Sequence, residues 1–544
     1  MLAMLFVVAA AAFIVGYFVY GRFMSKVYGL DNTHKVPSEE LFDGVDYVPA
    51  HPAVLLGHHF ASIAGAGPIV GPIAAAGIFG WAPVYLWCVI GSIFLGGPHD
   101  MGAIVSSMRH EGKSIGEVVD HWIGHRAKQL FLGFMWLTLV LVIAVFLQLG
   151  ANTFADNPAV AFAGILYVLL AVVFGTLVYR WNLPLSVMTV IMVPFVLGAV
   201  WVGTESAWIQ AHFSFSMETW RFVLVGYVFV ASVLPVWLLL QPRDYLASYL
   251  LYAALIIGSI GMVFGGARFE VVLPAYESFA PKEATYLWPL LFVTVACGAI
   301  SGFHCMVGSG TTSKQLRKET DARLIGYGSM LIEGLVAVIA LGTVMVVGIG
   351  GGANPLQTFG EGFGKFAGIL GIPEEYGVAL GLLAINSFIL TTLDTATRLG
   401  RYQLQELSNM RLNRYVATVV GVAAALALLF IESKGQPAWK VIWPVFGASN
   451  QLVAALALLT LVVWIVKGLK KSAAFLKYPM YFMMATTLAA LVLLIRQNIG
   501  IGPDATPNYL LVGVAVVLFV LALMLIAEAY KALKSPVPAE KEGA

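Results

Sequence analysis

Residues 52–80 read PAVLLGHHFASIAGAGPIVGPIAAAGIFG, a stretch apolar enough to cross a bilayer but punctured by Gly65, Gly67, Pro68, Gly71 and Pro72 where an unbroken membrane helix would carry Leu and Val. Backbone exposed to lipid cannot leave its N–H and C=O groups unpaired. An interrupted helix at membrane depth must therefore be buried in protein or line a wet cavity. Interrupted helices are also how transport proteins build binding sites near the bilayer midplane.

The rest of the chain fits a membrane setting. Sixty per cent of its residues are hydrophobic and 11% charged, against about 45–50% and about 25% in soluble domains. A net charge of +2 gives no reason to expect nucleic acid as a partner. Cys88, Cys297 and Cys305 all fall in apolar stretches and read as small buried hydrophobes rather than a disulfide framework. Residues 1–20 are apolar with no basic segment before them, which predicts a retained first helix rather than a cleaved signal peptide.

Apolar windows of about 20 residues predict spans near 1–21, 54–78, 82–107, 129–150, 160–179, 185–203, 222–240, 244–267, 286–308, 324–350, 376–397, 415–431, 443–466, 479–495 and 508–530. Alternating the connections places 24 of the 31 Lys and Arg residues on one side and 7 on the other. The positive-inside rule makes the first side cytoplasmic, with the N-terminus outside and the C-terminus inside. The expected architecture is all-α, a polytopic membrane bundle of about 15 helices. A second interruption is expected at Pro235–Asp244, around Gln241. Five spans start from each break, which predicts an inverted five-plus-five repeat with flanking helices. The segments are then 1–53, an extra helix and cytoplasmic loop; 54–203 and 222–397, the two repeats; 415–530, additional membrane helices; and 531–544, a cytoplasmic tail. The Gly-rich stretch 351–375 reads as an external connecting loop with room for a short interfacial helix.

Five long motifs carry a family resemblance: DGVDYVPAHPAVLLGHHFASIAGAGPIVGP (43–72), GGPHDMGAIVSSMRHEGKSIGEVV (96–119), LPVWLLLQPRDYLASYLL (234–251), GAISGFHCMVGSGTTSKQL (298–316) and IWPVFGASNQLVAALAL (442–458). In this order they resemble the carbon starvation protein A family. The resemblance implies a prokaryotic inner-membrane secondary transporter, related to the amino acid-polyamine-organocation superfamily and associated with uptake of peptides or pyruvate during nutrient limitation.

Candidate substrate contacts follow from the breaks. Ala61, Ser62, Gly65, Ala66, Gly67 and Pro68 would expose main-chain groups in the first, and Gln241 and Ser301 are neutral polar residues near the second half of the chain. The bland reading of the small residues is close helix packing. A charge at a helix centre costs about 2.5–3.5 kcal/mol on insertion scales, so His58, His59, Asp100, His304 and Glu333 are candidates for coupling to a proton, with hydrogen-bonded packing as the alternative. Arg243 and Asp244 read as a charge pair at the cytoplasmic membrane boundary, and Asp394 as a gate or anchor. A sodium ion would need carbonyls of the first break and hydroxyls such as Thr294 and Ser301. The membrane histidines favour protons. His58, His59, His99 and Asp100 match no strong metal spacing, and no metal or other cofactor is expected. The chain carries no GxxxxGK[ST], G-x-S-x-G or H-E-x-x-H motif, which argues against an ATP-driven pump and against an enzyme. A nutrient-sensing receptor and a sodium-coupled carboxylate symporter remain as alternatives. The scarcity of fixed acids among the candidate contacts leans toward a small monocarboxylate over a peptide, unless Asp100 or Glu333 lies at the pocket.

Overall fold

The computed structural model describes residues 1–44, 47–234, 238–282, 285–349, 354–429, 438–500 and 507–535. Helix α1 (Leu2–Tyr28) precedes an interrupted pair, α2 (Pro52–Ile63) and α3 (Gly67–Phe79), bent by 44°. Next come α4 (Trp81–Met108), a short amphipathic α5 (Ile115–Trp122), α6 (His125–Asp156), α7 (Pro158–Arg180), α8 (Leu185–Glu205), α9 (Met217–Val233) and α10 (Leu240–Gly265). A second interrupted pair follows, α11 (Leu287–Thr294) and α12 (Gly302–Gly310). The chain continues through α13 (Arg323–Val347), α14 (Pro355–Gly368), α15 (Glu374–Leu407), α16 (Arg414–Leu429), α17 (Ala438–Lys467), α18 (Ala474–Ile499) and α19 (Tyr509–Lys534).

Among the described residues, 11 helices are long and apolar enough to cross a membrane, and the bent pair makes up to 12. The other three expected spans coincide with the 17-residue α9, the 16-residue α16 and the broken α11–α12. The apolar window of α17 is 94% buried and those of α4, α13 and α15 are 83% buried, whereas α1 and α8 are 33% and α19 28% buried. The first four therefore form the centre and the others a lipid-facing rim.

The first break lies where the sequence places it: α2 ends at Ile63, and α3 starts again with Pro68 in its first turn, where a missing N–H is harmless. The second does not. Helix α10 already runs through Pro242, Arg243 and Asp244. Pro235 and the side chain of Gln241 lie outside the described residues. The interruption that meets the first break is instead residues 295–301, between α11 and α12. These two breaks touch. A Cβ added to Gly67 would sit 2.4 Å from Cys297 Sγ, and one on Gly71 2.6 Å from the Thr294 carbonyl oxygen. The glycines that flank the first break thus let a second irregular backbone approach.

The peptide groups freed at the second break find partners from other helices. Trp443 Nε1 donates to Thr294 O at 3.3 Å, Trp87 Nε1 to Val295 O at 3.2 Å, Ser92 Oγ to Gly298 O at 3.1 Å and Gln451 Nε2 to Phe292 O at 2.6 Å. Asn450 Oδ1 accepts from Phe303 N at 2.9 Å. At the first break Thr391 Oγ1 donates to Ala61 O at 3.2 Å. The WPVFGASNQ stretch is thus a clamp on the second break, supplying three of these side chains from α17.

The 351–375 stretch is more than a surface loop. Its helix α14 buries Leu356, Phe359, Phe363 and Phe366 and packs against α3, α10, α13 and α15.

Overpacking a close contact of this kind costs typically about 1–3 kcal/mol, so Gly71→Val is expected to lower the melting temperature of the detergent-purified protein. Gly67→Ala should do so to a smaller degree and be relieved by Cys297→Gly, which removes the Cβ that lies 2.5 Å from the added one.

Candidate functional site

Two buried polar clusters and one cavity surround the breaks. The first cluster joins α4, α12 and α13. His99 Nδ1 donates to Asp100 Oδ1 at 2.7 Å, and His304 Nδ1 donates to Asp100 Oδ2 at 2.8 Å. The other ring nitrogen of His304 lies 3.2 Å from Glu333 Oε2. All four side chains are fully buried. Asp100, His304 and Glu333 are far apart in the sequence, and the fold brings them together. It also pairs Asp100 with the adjacent His99.

The second cluster joins α2, α9, α10 and α15. Arg243 donates through Nη2 to Asp244 Oδ1 at 2.7 Å and through Nη1 to Tyr227 Oη at 3.0 Å, and it contacts Asp394. Tyr227 Oη donates to Asp394 Oδ2 at 2.7 Å. Tyr167 Oη, from α7, donates to the Arg243 carbonyl. The other oxygen of Asp244 faces His58 Nδ1 at 3.3 Å and accepts from Ser62 Oγ at 3.4 Å. Arg243, Asp244 and Asp394 are buried, not a membrane-boundary pair. Asp394 anchors the guanidinium from a different helix.

A cavity of about 240 Å³ runs from this cluster to the surface. His58, Ser62 and Asp244 line its inner end; Met306, Ser309 and Gly310 of α12 and Thr395 and Arg398 of α15 form its sides; Lys314, Tyr402 and Glu406 stand toward its mouth.

Of the expected substrate contacts whose side chains are described, Ser62 alone lines the cavity, and the side chain of Gln241 lies outside the described residues. Ala61 is buried with its carbonyl on Thr391, Gly65 faces Thr392 and Phe146, Ala66 is buried, and Gly67 and Pro68 pack on the second break. Ser301 lies at the end of that break, accepting from Asn450 Nδ2 at 3.0 Å. His58 and His59 diverge: His58 meets the cavity, and His59 Nδ1 lies 2.7 Å from Thr312 Oγ1. Thr294 sits at the second break, so the hydroxyls beside the first break are those of Thr391 and Thr392 on α15. Among the described residues, no three His, Cys, Asp or Glu side chains are arranged to hold a metal ion. The residues that the sequence did not single out are Tyr227, Lys314, Arg398 and the α17 clamp. Their one local signal is a polar group inside an apolar span.

Residues 1–351 and 347–490 match the family model described as carbon starvation protein CstA. The chain belongs to this family. It is 32% identical over 563 aligned residues to the peptide transporter CstA of Helicobacter pylori, an alignment that covers 89% of this chain and 80% of that protein. It is 32% identical to the pyruvate/proton symporter BtsT of Escherichia coli, covering 85% and 77%, and 30% identical to the peptide transporter CstA of Bacillus subtilis, covering 95% and 94%. Among solved structures, a mutant manganese transporter from Eremococcus coleocola aligns over 88% of this chain and 94% of that one at 14% identity and a TM-score of 0.46. MhsT in complex with L-phenylalanine aligns over 89% and 99% at 14% identity and a TM-score of 0.48. Like its relatives in the CstA family, this chain is a multi-pass membrane transporter and not an enzyme.

Removing one partner of a buried ion pair costs about 3–5 kcal/mol because the other charge stays buried. Arg243→Met is therefore expected to depress the yield and melting temperature of the purified protein. Arg243→Met/Asp394→Asn should recover part of the loss, and no recovery would show that the pair is not coupled as the geometry indicates.

Proposed function

We propose that this chain imports a small carboxylate-bearing nutrient, of the peptide or pyruvate type, across the prokaryotic inner membrane by proton symport. The observation that carries the reading is the fully buried His99–Asp100–His304–Glu333 network between α4, α12 and α13, to which α12, the second half of a broken helix, contributes His304. Two carboxylates and two imidazoles in one dry site hold a variable number of protons, and each change in that number alters the charge the site must balance. Helix α12 carries His304 on one face and the cavity residues Met306, Ser309 and Gly310 on another. A proton gained or lost at His304 thus acts on the same short helix that forms a wall of the cavity. The geometry required of a symporter is this shared element.

Arg398 and Lys314 beside the cavity supply positive charge for a carboxylate. The 24-to-7 distribution of basic residues supports a cavity mouth and a C-terminus on the cytoplasmic side and an N-terminus outside. Helix α14 packs on α3 and lends no residue to the cavity, which supports the reading of an inward-facing carrier closed on the outside. The relatives named a peptide transporter and a pyruvate/proton symporter support both the substrate range and the coupling ion. Sodium coupling is the second reading, favoured by the Thr391 and Thr392 hydroxyls beside the first break.

Purified protein in liposomes is expected to accumulate labelled dipeptide or pyruvate under an inward proton gradient without sodium, and an uncoupler should abolish the accumulation. Glu333→Gln should lose gradient-driven accumulation by about tenfold or more, the size of effect of one charge-assisted contact, while retaining substrate exchange. Accumulation that needs sodium and ignores the uncoupler would reverse the choice of ion.

A further inference from the structure

Asp244 divides its two oxygens between different surroundings. Oδ1 is held by Arg243, through Nη2 at 2.7 Å and Nε at 3.3 Å. Oδ2 is turned to His58 and Ser62, and all three residues line the inner end of the cavity. Arg243 itself does not line it, and its remaining nitrogen, Nη1, is committed to Tyr227 and Asp394. One guanidinium charge is thus shared between two buried carboxylates, and among the described residues the half of Asp244 that faces the cavity meets a hydroxyl and an imidazole. A carboxylate oxygen in a low-dielectric site is stabilised by a positive partner, and the open direction for that partner is the cavity.

The far part of the cavity has the opposite sign. Arg398, whose Nη2 donates to the Ala231 carbonyl at 3.1 Å, lies on its side and Lys314 toward its mouth, and the acid there, Glu406, is held by Lys128 at 3.0 Å. The cavity is therefore bipolar, acidic at its inner end beside the first break and basic toward its mouth.

We propose that Asp244 Oδ2 is a subsite for a protonated amine, so that the cavity selects small zwitterions, a short peptide or an amino acid, over a keto acid that offers a carboxylate alone. This rests on the reading of the cavity as the transport site, and it reverses the lean toward a monocarboxylate that the sequence suggests. That lean counted Asp100 and Glu333 as the acids that matter; neither lines the cavity, and Asp244 does. In the bound state the ammonium donates to Asp244 Oδ2, with Ser62 as a second acceptor, while the carboxylate end lies toward Arg398 and Lys314. Asp244 acts here as a specificity-determining residue.

The test uses the full-length protein in proteoliposomes and measures gradient-driven uptake of labelled alanyl-alanine, labelled N-acetyl-alanyl-alanine and labelled pyruvate, and the competition of each unlabelled solute with the labelled dipeptide. A charged hydrogen bond contributes about 1.5–3 kcal/mol, so the wild-type protein is expected to bind the N-acetyl derivative about tenfold or more weakly than the free dipeptide. Asp244→Asn should raise the dipeptide concentration for half-maximal uptake and erase the discrimination, and Asp244→Glu should restore part of it. The acetylation contrast is read on the wild-type protein and stands even if the variants fold poorly. Uptake of pyruvate or of the N-acetyl dipeptide as efficient as that of the dipeptide would overturn the amine subsite while leaving the transport reading intact. Uptake of none of the three would overturn the transport reading itself.

Discussion

The structure turns on unpaired peptide groups at membrane depth. Each interrupted helix frees N–H and C=O groups that lipid cannot satisfy, and each unsatisfied group costs several kcal/mol there. The chain meets this by crossing its two irregular segments, with Gly67 and Gly71 giving the clearance, and by sending side chains to the freed groups from Trp87 and Ser92 on α4 and from Trp443, Asn450 and Gln451 on α17. The central burial of α4, α13, α15 and α17 follows from this, since these helices surround the crossing.

Around the crossing, charge is placed in pairs rather than singly. Asp100 is held between two histidines, and Arg243 between two aspartates from different helices. The two clusters differ in what they reach. The Asp100 cluster is fully buried, and none of its four side chains lines the cavity. The Arg243 cluster ends at His58, Ser62 and Asp244, which do face the cavity. One broken helix carries each: α2 brings His58 and Ser62, and α12 brings His304. A movement of either half-helix therefore changes an ionic environment and the shape of the cavity together, the physical requirement for coupling a gradient to solute movement.

Much of this was legible in the sequence, for identifiable reasons. The first break announces itself because Gly and Pro cluster inside an apolar run, and Asp100, His304 and Glu333 stand out because ionisable groups inside spans are costly. The second break is hidden. Its segment contains Gly298 but no proline, while Pro235 and Pro242 draw attention to a stretch where the helix is already re-formed by Leu240. Its stability comes from Trp443, 149 positions from the carbonyl it binds, which no local pattern shows. Arg243 and Asp244 look like a boundary pair because they are adjacent and flanked by proline, and only the packing of α15 and α9 on α10 reveals Asp394 and Tyr227 as partners. The placement of Gly67 and Pro68 against protein rather than solute has the same origin, since a small residue reads identically whether its neighbour is a ligand or a second backbone.

The most direct test of the account is the accessibility of the cavity floor. Ser62→Cys is nearly isosteric, and the native Cys88, Cys297 and Cys305 are buried. In oriented membranes a membrane-impermeant thiol reagent applied to the cytoplasmic face should label position 62, and the transported solute should protect it. Failure to label from that face, or labelling that the solute leaves unchanged while transport persists, would contradict a substrate site between α2, α10 and α15.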